Sequence, residues 1–197
     1  EKLELRKNIR WIKFAIVVPL IMSGLIILPL ALPILPVETY IKYADALGMS
    51  PSSSESKELA ELPQFYADMF GWEDLAKNIS EVYQSLPEED KNDVVVFAPN
   101  YGVAGAVEYY GKKFPLPKVI STHNNFWIWG YGDKIAKTII VVGGKENDHN
   151  NSCKEVYLAK IHRTKYSMPY ENNRKIFVCK GLFVPAQTIW ESEKNFE

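Results

Sequence analysis

The chain has 197 residues, 47% hydrophobic and 13% aromatic, with 23 basic and 24 acidic side chains for a net charge of −1. That balance hides an asymmetry, because past Val37 there are 18 basic and 22 acidic residues. A portion at −4 is excluded as a nucleic-acid binder by charge, and its roughly 160 residues suit one domain with a single core rather than two.

Residues 1–13 form a basic flank with Lys2, Arg6, Lys7, Arg10 and Lys13. Phe14 to Val37 follows, 24 residues without a charge and with Ser23 as the one polar side chain. At about 1.5 Å per residue such a run crosses a hydrocarbon core of roughly 30 Å, so it is read as a transmembrane helix. A buried core helix is the alternative, but every face of it would then need cover. A signal peptide fits less well, since the run is long and ends among Pro29, Pro33 and Pro36. The basic flank places the N-terminus in the cytoplasm and the large C-terminal part outside it. The chain begins at Glu1, not at a methionine, and is expected to be the later part of a longer polypeptide.

Val37, Ile41, Ala44 and Leu47 recur at helical spacing beside Tyr40 and Tyr43, which predicts a short helix at the bilayer surface, closed by Gly48. With the polar run at 51–58 this makes an interfacial segment and linker over 38–58. The extracytoplasmic domain then covers 59–197. In it, Leu75, Ile79, Val82 and Leu86 mark an amphipathic helix with Glu73 and Asp74 in its first turn and Pro87 as its stop. Val94 to Phe97 is a continuous apolar run, as expected of a buried strand. A tight turn at Asn100-Tyr101-Gly102 leads to a helix near Ala104 to Tyr110. Further strands are expected at Lys118 to Ser121, Lys137 to Val142, Lys160 to Lys165 and Ile176 to Cys179, with a helix at Asn151 to Leu158. The alternation predicts an α/β domain of three layers around a mainly parallel sheet. Cys153 and Cys179 are the only cysteines; an even count permits a bridge outside the cytoplasm, but nothing in the spacing requires one.

Three loops are candidates for chemistry. The Asn100, Tyr101, Gly102 turn, with Gly105 beyond it, stands between a strand and a helix, where backbone N–H groups can face an anion. It is neither a dinucleotide fingerprint nor a P-loop, and close packing of helix on strand explains the glycines equally well. The second loop holds His123, Asn124, Trp127 and Trp129. Rings beside amides suit a sugar, because rings stack on C–H faces while amides bond hydroxyls. The same tryptophans could instead pack on the membrane or the rest of a larger protein. Both loops follow strands, so they are expected to meet at one sheet edge, where open α/β sheets collect ligands. The third candidate is Glu171, in a polar segment between two strands, where an exposed turn carboxylate is the plainer reading. No spacing suggests a protein-built zinc site, a nucleophile elbow or a glycosidase carboxylate pair. No cofactor, metal or catalytic residue is expected within the chain.

The ordered blocks LPVETYIKY, LPQFYADMFGWEDL, NYGVAGAVEYYG, LPKVISTHNNFWIWG, TIIVVGG and MPYENNRKIFVCKG resemble the C-terminal region of bacterial family 39-like glycosyltransferases. These are integral membrane proteins related to the protein O-mannosyltransferases and aminoarabinose transferases. The resemblance implies a multi-pass enzyme of the cell membrane that moves a sugar from a polyprenyl-phosphate donor to an extracytoplasmic acceptor. The implied partners are the bilayer, upstream transmembrane helices of the same polypeptide, and a lipid-linked sugar or acceptor. The family's catalytic carboxylate lies in an early extracytoplasmic loop that this sequence does not contain, so this portion is expected to be non-catalytic. The rival from another class is a single-pass, membrane-anchored binding or sensor module.

Overall fold

The structure, a computed structural model, describes residues 2–49, 51, 60–132, 136–184 and 186–196, with side chains from residue 11 onward except at 186 and 187. Helix α1 runs from Lys2 to Ala31, about 45 Å at the usual rise. It starts before the apolar run and ends at Ala31, short of Val37. Proline explains the stop: Pro33 disfavours helical backbone at Leu32, and Pro36 follows. The segment Trp11–Ala31 is long and apolar enough to cross a membrane. Every residue from 11 to 28 is exposed, so this apolar stretch of the helix is left uncovered by side chains among the described residues.

Helix α2 (Val37–Ala46) folds back against the end of α1. The carbonyls of a helix's last turn lack intrahelical donors; Leu30 lies in that turn, and tyrosines also reach Ile26 before it and Leu35 after it. The Tyr40 hydroxyl donates to the Leu30 carbonyl at 3.3 Å, that of Tyr43 to Ile26 at 2.8 Å, and that of Tyr66 to Leu35 at 3.0 Å. Tyr66 belongs to the short helix α3 (Gln64–Ala67). Leu30, Tyr40, Leu62, Tyr66, Ala67 and Met168 form a buried cluster at this joint. Residues 50 and 52–58 of the expected interfacial segment and linker lie outside the described residues.

Helix α4 (Trp72–Ser85) buries Leu75, Ile79 and Val82 along one face, and α5 (Glu88–Lys91) leads into β1 (Val94–Phe97). Then come α6 (Tyr101–Tyr110), β2 (Lys118–Ile120), α7 (Asn125–Trp129), β3 (Thr138–Val142) and α8 (Glu146–Asn150). The chain ends with β4 (Cys153–His162), β5 (Arg174–Leu182) and α9 (Ala186–Ser192). The five strands form one sheet in the order β2-β1-β3-β5-β4. β1 pairs in parallel with β2 and β3, whereas β3, β5 and β4 are antiparallel neighbours.

The domain is therefore mixed α/β, and the expected mainly parallel sheet is corrected. The helix expected over Asn151 to Leu158 is instead the start of β4, and β4 ends at His162. Local periodicity did not decide this segment. Its backbone pairs along almost its whole length with β5, and a disulfide joins Cys153 to Cys179 with Cα atoms 5.8 Å apart. On one face of the sheet Val94, Val96, Ile140, Val142, Ile176 and Val178 pack with residues of α4 and α6. On the other, Val95, Ile139 and Phe97 lie near Trp190 of α9, beside Val141, Phe177 and Cys179.

The register fixes where loops lie. Val142 at the end of β3 pairs with Ile176 near the start of β5, so the β4–β5 connection sits at the same sheet end as the loops leaving β1, β2 and β3. That connection carries Tyr166 and Met168 into the cluster at the foot of α1, where the Tyr166 hydroxyl bonds the Glu38 carboxylate.

Candidate functional site

Asn100 caps α6. Its backbone is extended, with φ −151°, and its side-chain oxygen accepts from the Val103 N–H at 2.9 Å, as a good N-cap residue does. The Tyr101 N–H donates to Nδ1 of His123 at 3.4 Å, and the two rings lie 5.1 Å apart. The loops after β1 and β2 therefore meet. Because Nδ1 accepts, a neutral His123 carries its proton on Nε2. That Nε2 is buried and has no hydrogen-bond partner among the described residues. The Tyr101 side chain, 57% exposed, forms the outer rim.

With the Tyr101 and Val103 N–H groups already bonded, the turn satisfies itself more than it cradles an anion. Gly102 permits ordinary close approach: an added Cβ would stand 3.4 Å from the Asn100 oxygen and 3.9 Å from the Trp72 ring. At Gly105 it would meet nothing within 4 Å, so close packing requires no glycine there.

The second loop is pinned by the C-terminal segment. The Asn124 N–H donates to the Asn195 carbonyl at 2.8 Å, and the Asn195 N–H to that of Thr122 at 3.1 Å. Asn124 adopts φ +51°, a conformation asparagine accepts more readily than most residues. Beyond it the two tryptophans part. Trp127 donates from its indole to the Trp190 carbonyl at 3.1 Å, packs against Phe196, and has the Lys194 ammonium 4.3 Å from its ring centre. It holds the loop to α9. Trp129 is 65% exposed and stands edge-on to Phe126 at 4.8 Å.

Glu171 is not with them. It lies in a 3-10 turn (Pro169–Glu171), 3.5 Å from the Arg174 guanidinium, with both side chains largely buried. The exposed turn carboxylate expected there is thus an ion-pair partner. It borders a buried polar group that sequence patterns did not reveal. His162, 3% exposed, accepts at Nδ1 from the Asn78 side-chain amide NH2 at 3.0 Å. Gly71 closes over it at φ +87°, where an added Cβ would fall 3.3 Å from His162 Nε2 and 2.8 Å from the Thr164 methyl. Burial pushes the His162 imidazole down from its ordinary value of 6.5; the Asp74 carboxylate opposes this and the Arg174 charge adds to it. Burial also lowers Arg174, against the pull of Glu171. In the sequence His162 falls within one expected strand and Arg174 just ahead of another, and neither position marks the group.

Among the described residues no three His, Cys, Asp or Glu side chains gather as a metal site. No protein-family model, curated protein or solved structure matches this chain.

Proposed function

We propose that this chain is the last transmembrane helix and the extracytoplasmic domain of a multi-pass, family 39-like membrane glycosyltransferase. In this reading the catalytic groups lie elsewhere in the polypeptide, and the domain meets the extracytoplasmic acceptor of a sugar carried on polyprenyl phosphate. The observation that carries it is the Tyr101–His123 pair, a polar and aromatic rim at the same sheet end as the joint to α1. A buried His123 Nε2 without a partner among the described residues is the kind of group a ligand satisfies. The resemblance of the sequence blocks supplies the reaction class. Five basic residues before the span and the Cys153–Cys179 bridge support an extracytoplasmic domain. The packing of Trp190 on the face opposite α4 and α6 supports a third layer.

The test is a His123→Ala variant of the full-length protein. Weakened acceptor affinity with intact folding is expected, and unchanged transfer and acceptor affinity would remove the site. Trp127→Ala is a poorer variant than its sequence position suggested, because that ring secures α9. The coding sequence upstream of Glu1 separates the transferase from a single-pass anchored module: many hydrophobic segments favour the first, a nearby start codon the second.

A further inference from the structure

Beside edge strand β2 lies a cleft of about 490 Å³, within the size range of small-molecule sites. Its apolar walls include Trp129 and Phe126 of α7 and Leu116 and Val119 near β2; its charged groups are Glu108 of α6 and Lys118 of β2. Phe126 packs against the main core while Trp129 stays exposed, so the aromatic pair is a fixed surface presented to solvent. Neither Glu108 nor Lys118 forms an ion pair with a described residue.

The electrostatics narrow the ligand. Both α6 and α7 end at the cleft, at Gly111 and Gly130, and helix C-termini project carbonyls and negative partial charge. Together with Glu108 they oppose an anion. Lys118 opposes a cation. What suits the site is a neutral ring with an apolar face to stack on indole and with hydroxyl groups that both donate and accept. We infer that this cleft binds a neutral pyranose sugar, stacked on Trp129, with hydroxyls donating to Glu108 and accepting from Lys118. The inference goes beyond the acceptor-binding reading, because the cleft lies beside the start of β2 and the end of α6, apart from the Tyr101–His123 rim.

The test reads binding without transfer, so the two readings fail separately. The full chain in nanodiscs is titrated with methyl α-mannopyranoside and N-acetylglucosamine and followed by saturation-transfer NMR. Glucose 6-phosphate, tetramethylammonium and decaproline serve as the anionic, cationic and peptide comparisons. Saturation transfer to the C–H protons of a neutral sugar is expected, with affinity about tenfold weaker in Trp129→Ala. Glu108→Gln should weaken it less, and Trp129→Tyr should retain it. Sugar signals absent, or equal in Trp129→Ala and Glu108→Gln, would overturn the inference, as would binding of the phosphate, the cation or the peptide in place of the sugars. If Trp129→Ala does not fold, Trp129→Tyr and Glu108→Gln decide.

Discussion

The two halves of the sheet do different work. In the parallel half, β2-β1-β3, strands are short and their exits gather polar and aromatic side chains: Asn100, Tyr101, His123 and Asn124. In the antiparallel half, β5 and β4 are long, cross-linked by Cys153–Cys179, and joined by a connection whose side chains pack at the foot of α1. Parallel strands need crossovers, which leave loops free at the carboxyl ends; the antiparallel pair instead packs its connection at the foot of α1. Because both sets of loops share one end of the sheet, the candidate rim lies at the same end as the joint to α1.

Substitutions should break the halves differently. The largest effect is expected for Phe177→Ala on β5, whose side chain is fully buried; a loss of about 3–5 kcal/mol should appear as a lower denaturant midpoint. Replacing Cys153 and Cys179 by serine opens a loop of 26 residues and should cost about 2–4 kcal/mol, read in the same way. An oxidised protein insensitive to both changes would remove the distinction between halves.

Acid should act on the antiparallel half next. His162 has a lowered pKa in the folded protein, so as pH falls the unfolded chain takes the proton first. The stability this group supports is whole above about 6.5 and declines as pH drops below that value toward the lowered one. Thermal melts across this window should show the loss, and His162→Gln should flatten it. A smaller effect, about 1 kcal/mol, is expected for Tyr43→Phe, which removes its bond to the Ile26 carbonyl and should loosen α2 from α1 in hydrogen exchange.

Much of the parallel half was legible from local pattern. The apolar runs at Val94 to Phe97 and Thr138 to Val142, and the spacing of Leu75, Ile79 and Val82, each name their own element. That the Asn100 and His123 loops meet followed from the order of strands and helices. The antiparallel half was not legible, because β4 is a strand through its pairing with a segment many residues later rather than through its own periodicity. For the same reason Trp127 looked like a surface residue until Trp190 and Phe196 closed on it, and Glu171 looked like a free turn carboxylate until Arg174 and the His162 group stood beside it. The apolar run foretold one long apolar helix, and its prolines, present in the sequence, account for its end at Ala31.

The measurement closest to the central claim is made on one preparation of full-length Tyr101→Ala, in which acceptor affinity and unfolding midpoint are determined together. Tyr101 is exposed at the rim, so stability should change by no more than about 0.5 kcal/mol while acceptor affinity falls severalfold. Unchanged acceptor affinity in a fully folded variant would contradict the assignment of the rim as the functional surface.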